Sequence, residues 1–175
     1  MKLDPTRVKK MIGDTVYVKK INNLKSDKIV IINYNNQPRA QEAWEAQVIL
    51  FNDNDDYFKK NDNVLIEPQA LDCPEFEWGD ELFYMVKKDD IICAINGNKY
   101  IVDPIRTFID RNVKEKIGSI YIPNAENKLS LYGEVIYSNK FKKGTKVFYK
   151  KSSAIKIKNN LICVDNHNII AKESN

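Results

Sequence analysis

Glycine, cysteine and histidine are scarce in this chain of 175 residues, which holds six, three and one of them. The glycines (Gly13, Gly79, Gly97, Gly118, Gly133 and Gly144) all stand apart, so no G-x-G-x-x-G turn exists to cradle a dinucleotide. Three cysteines with no C-x-x-C spacing argue against a disulfide framework or zinc ribbon, and for a reducing compartment. Cys73, Cys93, Cys163 and His167 lack the clustering that zinc ligation requires. Cys93 and Cys163 sit in apolar runs and read as small core residues, and His167 reads as a solvated turn residue. Long apolar runs are missing too. The longest, Leu82–Val86 and Ile91–Ile95, fall well short of a membrane span. Residues 1–7 show no apolar leader, so the expected location is cytoplasmic. With no dinucleotide turn and no zinc-ligand spacing, the expectation is a non-enzymatic protein without catalytic residues, metal or cofactor.

What the chain has is β-forming sequence. Hydrophobic residues make up 43% of it, enough for a packed core. Short runs rich in Val, Ile, Tyr and Phe recur between Asn, Asp, Lys and Gly: Thr15–Val18, Gln47–Leu50, Asn63–Ile66, Glu134–Tyr137, Val147–Tyr149 and Leu161–Val164. This pattern predicts an all-β fold of barrels or sandwiches. Only Pro38 to Ala46 has a helical look, with Pro38 suited to a first helical position. The acidic stretch Asp72, Glu75, Glu77, Asp80 and Glu81 reads as a solvated loop anchored by Phe76 and Trp78.

The runs also repeat in order. Phe58-Lys59-Lys60-Asn61-Asp62-Asn63-Val64 aligns with Phe141-Lys142-Lys143-Gly144-Thr145-Lys146-Val147 at an offset of 83. Ala46-Gln47-Val48-Ile49 aligns with Gly133-Glu134-Val135-Ile136 at 87, and Ile29-Val30-Ile31 with Ile120-Tyr121-Ile122 at 91. Thr15-Val16-Tyr17 is matched to Thr107-Phe108-Ile109 at 92, while Val86 with Val164 and Ile91-Ile92 with Ile169-Ile170 lie at 78. Insertions confined to polar stretches while strand cores persist imply two copies of one fold, residues 1–96 and 97–175. The copies differ in charge. Residues 1–95 carry 13 Lys+Arg against 17 Asp+Glu, and residues 96–175 carry 15 against 7. The first copy is acidic and the second basic.

The second copy runs in the order Thr107-Phe108-Ile109-Asp110-Arg111, Ile117-Gly118-Ser119-Ile120-Tyr121-Ile122, Gly133-Glu134-Val135 and Lys143-Gly144-Thr145-Lys146-Val147-Phe148. It closes on Leu161-Ile162-Cys163-Val164 and Asn168-Ile169-Ile170-Ala171. This order and spacing resembles the ten-kilodalton co-chaperonin (GroES) family, and the first copy follows it more loosely. The duplication is similar to the tandem co-chaperonins of plastids, without their transit peptide. The resemblance implies two tandem irregular β-barrels and a homo-oligomeric ring that caps a GroEL-like chaperonin, assisting protein folding while that partner hydrolyses ATP. It further implies that Ile29, Val30 and Ile31, and Ile120, Tyr121 and Ile122, are apolar docking tripeptides. Burying three such side chains yields roughly 5–9 kcal/mol gross. Ordering about ten loop residues costs about 1–2 kcal/mol each. A single loop therefore binds weakly, and several on one ring succeed through effective concentration. The family's roof segment is reduced here to Ser138-Asn139-Lys140 and to Phe51–Tyr57, which implies a ring with an open or differently closed top.

Two other classes stay open. One is a phage or host structural or assembly protein that uses the fold without capping a chaperonin. The other is a single-stranded nucleic-acid binder. Its basis is Lys114, Lys116, Lys140, Lys142, Lys143, Lys146, Lys150, Lys151, Lys156 and Lys158, interleaved with Tyr137, Phe141, Phe148 and Tyr149.

Overall fold

A computed structural model describes residues 11, 13–21, 42–52, 57–72, 74–78, 81–111 and 132–173. The chain divides into two compact units, Met1–Gly97 and Asn98–Asn175. Both are built from antiparallel strands, and among the described residues no helix reaches seven residues.

Unit 1 contains β1 (Thr15–Lys20), β2 (Trp44–Leu50), β3 (Asn63–Ile66), β4 (Glu75–Trp78), β5 (Glu81–Lys87) and β6 (Ile91–Asn96). They lie in the order β4-β5-β1-β2-β3-β6. Unit 2 opens with β7 (Lys99–Val102) and continues with β8 (Arg106–Asp110), β9 (Tyr132–Ser138) and β10 (Lys146–Tyr149). The last three are β11 (Ile155–Lys158), β12 (Leu161–Asp165) and β13 (Ile169–Lys172). The six strands β11-β12-β8-β9-β10-β13 form the second sheet in the same order as β4-β5-β1-β2-β3-β6, while β7 continues the first sheet beyond β6 as its seventh strand. Neither sheet is a closed barrel. The barrel expectation therefore reduces to two antiparallel sheets, and the second ends on two four-residue strands, β11 and β13.

The likeness extends to single hydrogen bonds. Val48 pairs with Val18 and Val135 with Ile109, each beside a bulge opposite Tyr17/Val18 and Phe108/Ile109, whose extra residue is Ile49 in β2 and Ile136 in β9. A second bulge recurs at Leu65/Ile66 and Phe148/Tyr149. Asn61 N–H donates to the Val48 carbonyl at 2.8 Å, and Gly144 N–H to the Val135 carbonyl at 2.8 Å. Both turn residues have positive φ, 71° and 86°, a conformation that Asn and Gly tolerate. Lys88 N–H donates to Asp14, and Asn166 N–H to Ile105, both at 2.8 Å.

These registers correct one alignment. Tyr17 lies opposite Leu50 and Met85, and Phe108 lies opposite Tyr137 and Cys163, so the first strands correspond at 91 rather than 92. The difference is physical, because a one-residue slip moves each side chain to the other face. Val16 and Val18 face the main core of unit 1 with Ala46, Val48, Val64 and Ile66. Ile109 faces that of unit 2 with Val135, Val147 and Tyr149. Tyr17 and Phe108 face the other way. Tyr17 stacks on Phe83 at 5.6 Å, and Phe108 packs with Tyr100 at 5.2 Å.

Two further readings change. Trp44-Glu45-Ala46 belongs to β2, because Trp44 and Ala46 alternate inward with Val48, a period of two. Residues 38–41, the rest of the expected helix, lie outside the described residues. Glu75–Trp78 is a strand rather than a solvated loop, since its alternation lets Phe76 pack against Met11, Tyr17 and Phe83.

Complementary volume ties the copies to their own strands. Ala46 and Gly133 hold the same position. A methyl group added at Gly133 would stand 2.3 Å from Ile109 Cγ2 and 2.7 Å from the Asp110 carbonyl oxygen. Glycine leaves room there for the Ile109 Cγ2 methyl and the Asp110 carbonyl oxygen. Gly133→Ala is expected to destabilise the protein by about 1–3 kcal/mol through overpacking. Urea unfolding measures the loss, and an unchanged midpoint for Gly133→Ala would refute the account.

Candidate functional site

The six docking residues expected from the sequence, Ile29, Val30, Ile31, Ile120, Tyr121 and Ile122, lie outside the described residues. The strands that bracket them are described. The first tripeptide falls between β1 and β2, and the second between β8 and β9, which are corresponding places in the two units. The base of the first connection is well fixed. Ile21 N–H donates to the Glu45 carbonyl at 3.0 Å, and Lys20 Nζ lies 5.7 Å from the Trp44 ring centroid. Trp44 Nε1–H donates to the buried Glu67 carbonyl at 3.0 Å. At the second base, Arg111 N–H donates to the Asn160 carbonyl at 3.0 Å.

Among the described residues, the acidic side chains of this stretch do not converge on one point. Glu75 Oε2 accepts from the Tyr84 hydroxyl at 2.6 Å, and Glu81 pairs with Lys19. Glu77 is exposed on β4, and Asp80 lies outside the described residues. Among the described residues, no three His, Cys, Asp or Glu side chains are grouped to hold a metal ion. Cys93 and Cys163 are buried in β6 and β12. His167 is exposed, with its Nε2 3.1 Å from Asn168 Nδ2.

The basic, aromatic-interleaved set of unit 2 is split by the fold. Tyr149 is buried in the core, and Phe141 packs against it. Tyr137 meets Tyr100 and Phe108 edge-on at 5.6 and 6.2 Å. Phe148 alone of the four aromatics is exposed, tilted on Tyr132 at 4.9 Å. One outward ring is no row of stacking platforms.

A buried polar chain escaped sequence reasoning. Thr107 Oγ1 lies 2.8 Å from Ser138 Oγ and donates to Asn166 Oδ1 at 2.6 Å. Ser138 Oγ also accepts the N–H groups of Lys140 and Phe141, each at 3.1 Å, which tightens the short connection after β9. Unit 1 places Val16, Phe51 and Lys88 there, around a cleft of about 120 Å³ also lined by Asp14 and Asn52. The only signal in the sequence was a threonine amid apolar strand residues, and that is too common to single out.

No protein-family model and no curated protein matches the chain.

Three tyrosines carry the electrostatic signature of these units. Burial first, then the Glu75 carboxylate, pushes the Tyr84 phenol far above its ordinary value. Burial also raises Tyr149 and is the largest cause at Tyr132. The hydrogen bond with Tyr132 is the first cause of the upward shift at Lys146. A phenol raised in the folded state ionises first in the unfolded chain. Its contribution to stability is therefore whole below about pH 10 and shrinks as pH climbs toward the folded value. Urea midpoints at about pH 8 and about pH 11 should show a marked alkaline loss, smaller in Tyr84→Phe. Identical losses in the two proteins would remove Tyr84 from the account.

Proposed function

We propose that this chain is a co-chaperonin-like cap. Each unit is an open, antiparallel variant of the GroES-like fold, the chains assemble into a ring, and the tripeptides Ile29-Val30-Ile31 and Ile120-Tyr121-Ile122 dock on a GroEL-like chaperonin. The role is non-catalytic: closing a folding chamber while the partner hydrolyses ATP.

One observation carries the reading. The strand register fixes the first strands at an offset of 91, which is also the offset of the two tripeptides. Ile29 therefore follows Lys20 at the same distance along the chain, nine residues, as Ile120 follows Arg111. Apolar tips at one spacing from one strand, in two copies that have diverged in charge and core volume, point to a shared use. Packing within each copy does not demand it, since neighbouring stretches changed length freely. A weak contact repeated many times on one assembly suits such tips, because each contact made raises the effective concentration for the next.

The test is capture on an immobilised GroEL-type chaperonin with ATP. Wild-type protein should be retained in a nucleotide-dependent way, and the double variant Ile29→Asp/Ile120→Asp should lose at least about tenfold in retention, since a charge cannot enter an apolar groove. Failure of the wild type to bind, or equal retention of the double variant, would overturn the reading.

A further inference from the structure

The two connections that carry the apolar tripeptides leave their units through necks of different construction. In unit 1 the pairing of β1 with β2 runs out to Lys20 opposite Ala46, and Ile21 N–H adds a further rung to the Glu45 carbonyl at 3.0 Å. In unit 2 the last paired residues of β8 and β9 are Asp110 and Glu134. The next N–H, that of Arg111, turns to the Asn160 carbonyl instead. Trp44 stands at the neck of unit 1 as the first residue of β2. It is 9% exposed, lies tilted on Tyr84 at 5.1 Å, and is fixed by its Nε1–H bond to the Glu67 carbonyl. Lys20, the last residue of β1, brings its Nζ to 5.7 Å from the same ring. The end of one strand and the start of the next thus hold each other across the neck. The offset of 87 that matches β2 to β9 sets Leu131 in the place of Trp44, and leucine offers neither an N–H nor a ring face.

We infer that Trp44 is a positioning residue for docking, and that by closing the neck of its connection it makes Ile29-Val30-Ile31 the stronger of the two tripeptides. This ranking rests on the docking reading proposed above and adds to it an inequality between the copies. A connection whose ends are fixed has less freedom to lose when its tip is bound, so more of the tip's burial free energy appears as affinity. Trp44 suits the task because one indole reaches three elements. Its ring packs into the core through Tyr84, its N–H holds the backbone just after β3, and its face receives the end of β1. Arg111 keeps the positive charge of Lys20 at the second neck, but the residue type that faces such a charge in unit 1 is missing from the matching position.

Amide hydrogen exchange of the full chain, with no partner present, tests the neck. Trp44→Phe keeps a ring in the core but loses the N–H, and Lys20→Met keeps the stem but loses the charge. Each should speed exchange at Ile21 by about threefold or more, the scale of one hydrogen bond or one cation–π contact. Exchange at Asn61 and Arg111 should stay as it was, whereas a general loss of stability would speed those amides too. Capture on an immobilised GroEL-type chaperonin with ATP tests the ranking. Ile29→Asp should cost at least about tenfold in retention, and Ile120→Asp no more than about threefold. Trp44→Phe and Lys20→Met should each lower retention by about threefold in the wild type and not at all in the Ile29→Asp background. A merely structural role would lower it in both. Unchanged exchange at Ile21, or a captured wild type that loses equally through either tripeptide, overturns the inference while leaving docking in place. A wild type that is not captured overturns the docking reading and takes the ranking with it, so the two failures are told apart.

Discussion

The bulged pairing of the first two strands in each unit governs everything built on it. Val18 against Val48 and Ile109 against Val135, each next to an extra residue in the ladder, decide which side chains face the main core and which the opposite face. A bulge bends its strand and fixes register, and with a period of two nothing downstream can slip without turning the sheet inside out. The third strand, the positive-φ turn that leads to it and the closing strand all take their registers from that pair.

On this shared backbone the copies have diverged by exchange of volume and polarity. Unit 1 gathers a large apolar core around Trp44 and Phe58, with a second cluster of Met11, Tyr17 and Phe83 behind the sheet. Among the described residues, unit 2 has a smaller central cluster and fills the space above its first strand with the Thr107–Ser138–Asn166 chain. A hydrogen-bonded polar chain holds a turn by direction as well as by contact, which suits a connection as short as residues 139–145. The outermost strand of each copy shows the widest split, Glu-Phe-Glu-Trp on β4 and Ile-Lys-Ile-Lys on β11.

Much of this was legible in the sequence wherever burial imposes a pattern. The runs Asn63–Ile66 and Leu161–Val164 are strand residues, and their unbroken apolar stretches reflect packing on both faces. Offsets of 83, 87 and 78 follow from the same cause and agree with the registers. The edge strands β4 and β11 were obscured because half of their residues are charged, and a half-solvated strand of four looks like a loop. The slip from 91 to 92 arose because Thr15-Val16-Tyr17 and Thr107-Phe108-Ile109 share a residue type at their first position while pointing opposite ways. Letter identity carries no information about the face. As for the candidate site, the sequence locates the two tripeptides in matching connections, and the strands that bracket those connections are placed by the fold.

Two near-identical ladders in one polypeptide carry a folding hazard, since a nascent strand can pair with its sibling instead of its proper neighbour. The reciprocal fit at Ala46 and Gly133 guards against it. Were β2 to settle beside β8, the Ala46 methyl would be driven into the space that Gly133 leaves for Ile109. Were β9 to settle beside β1, a void would open next to Val18. The missing side chain at Gly133 thus discriminates between the two second strands, since only β9 can lie against β8 without a clash at Ile109 and Asp110.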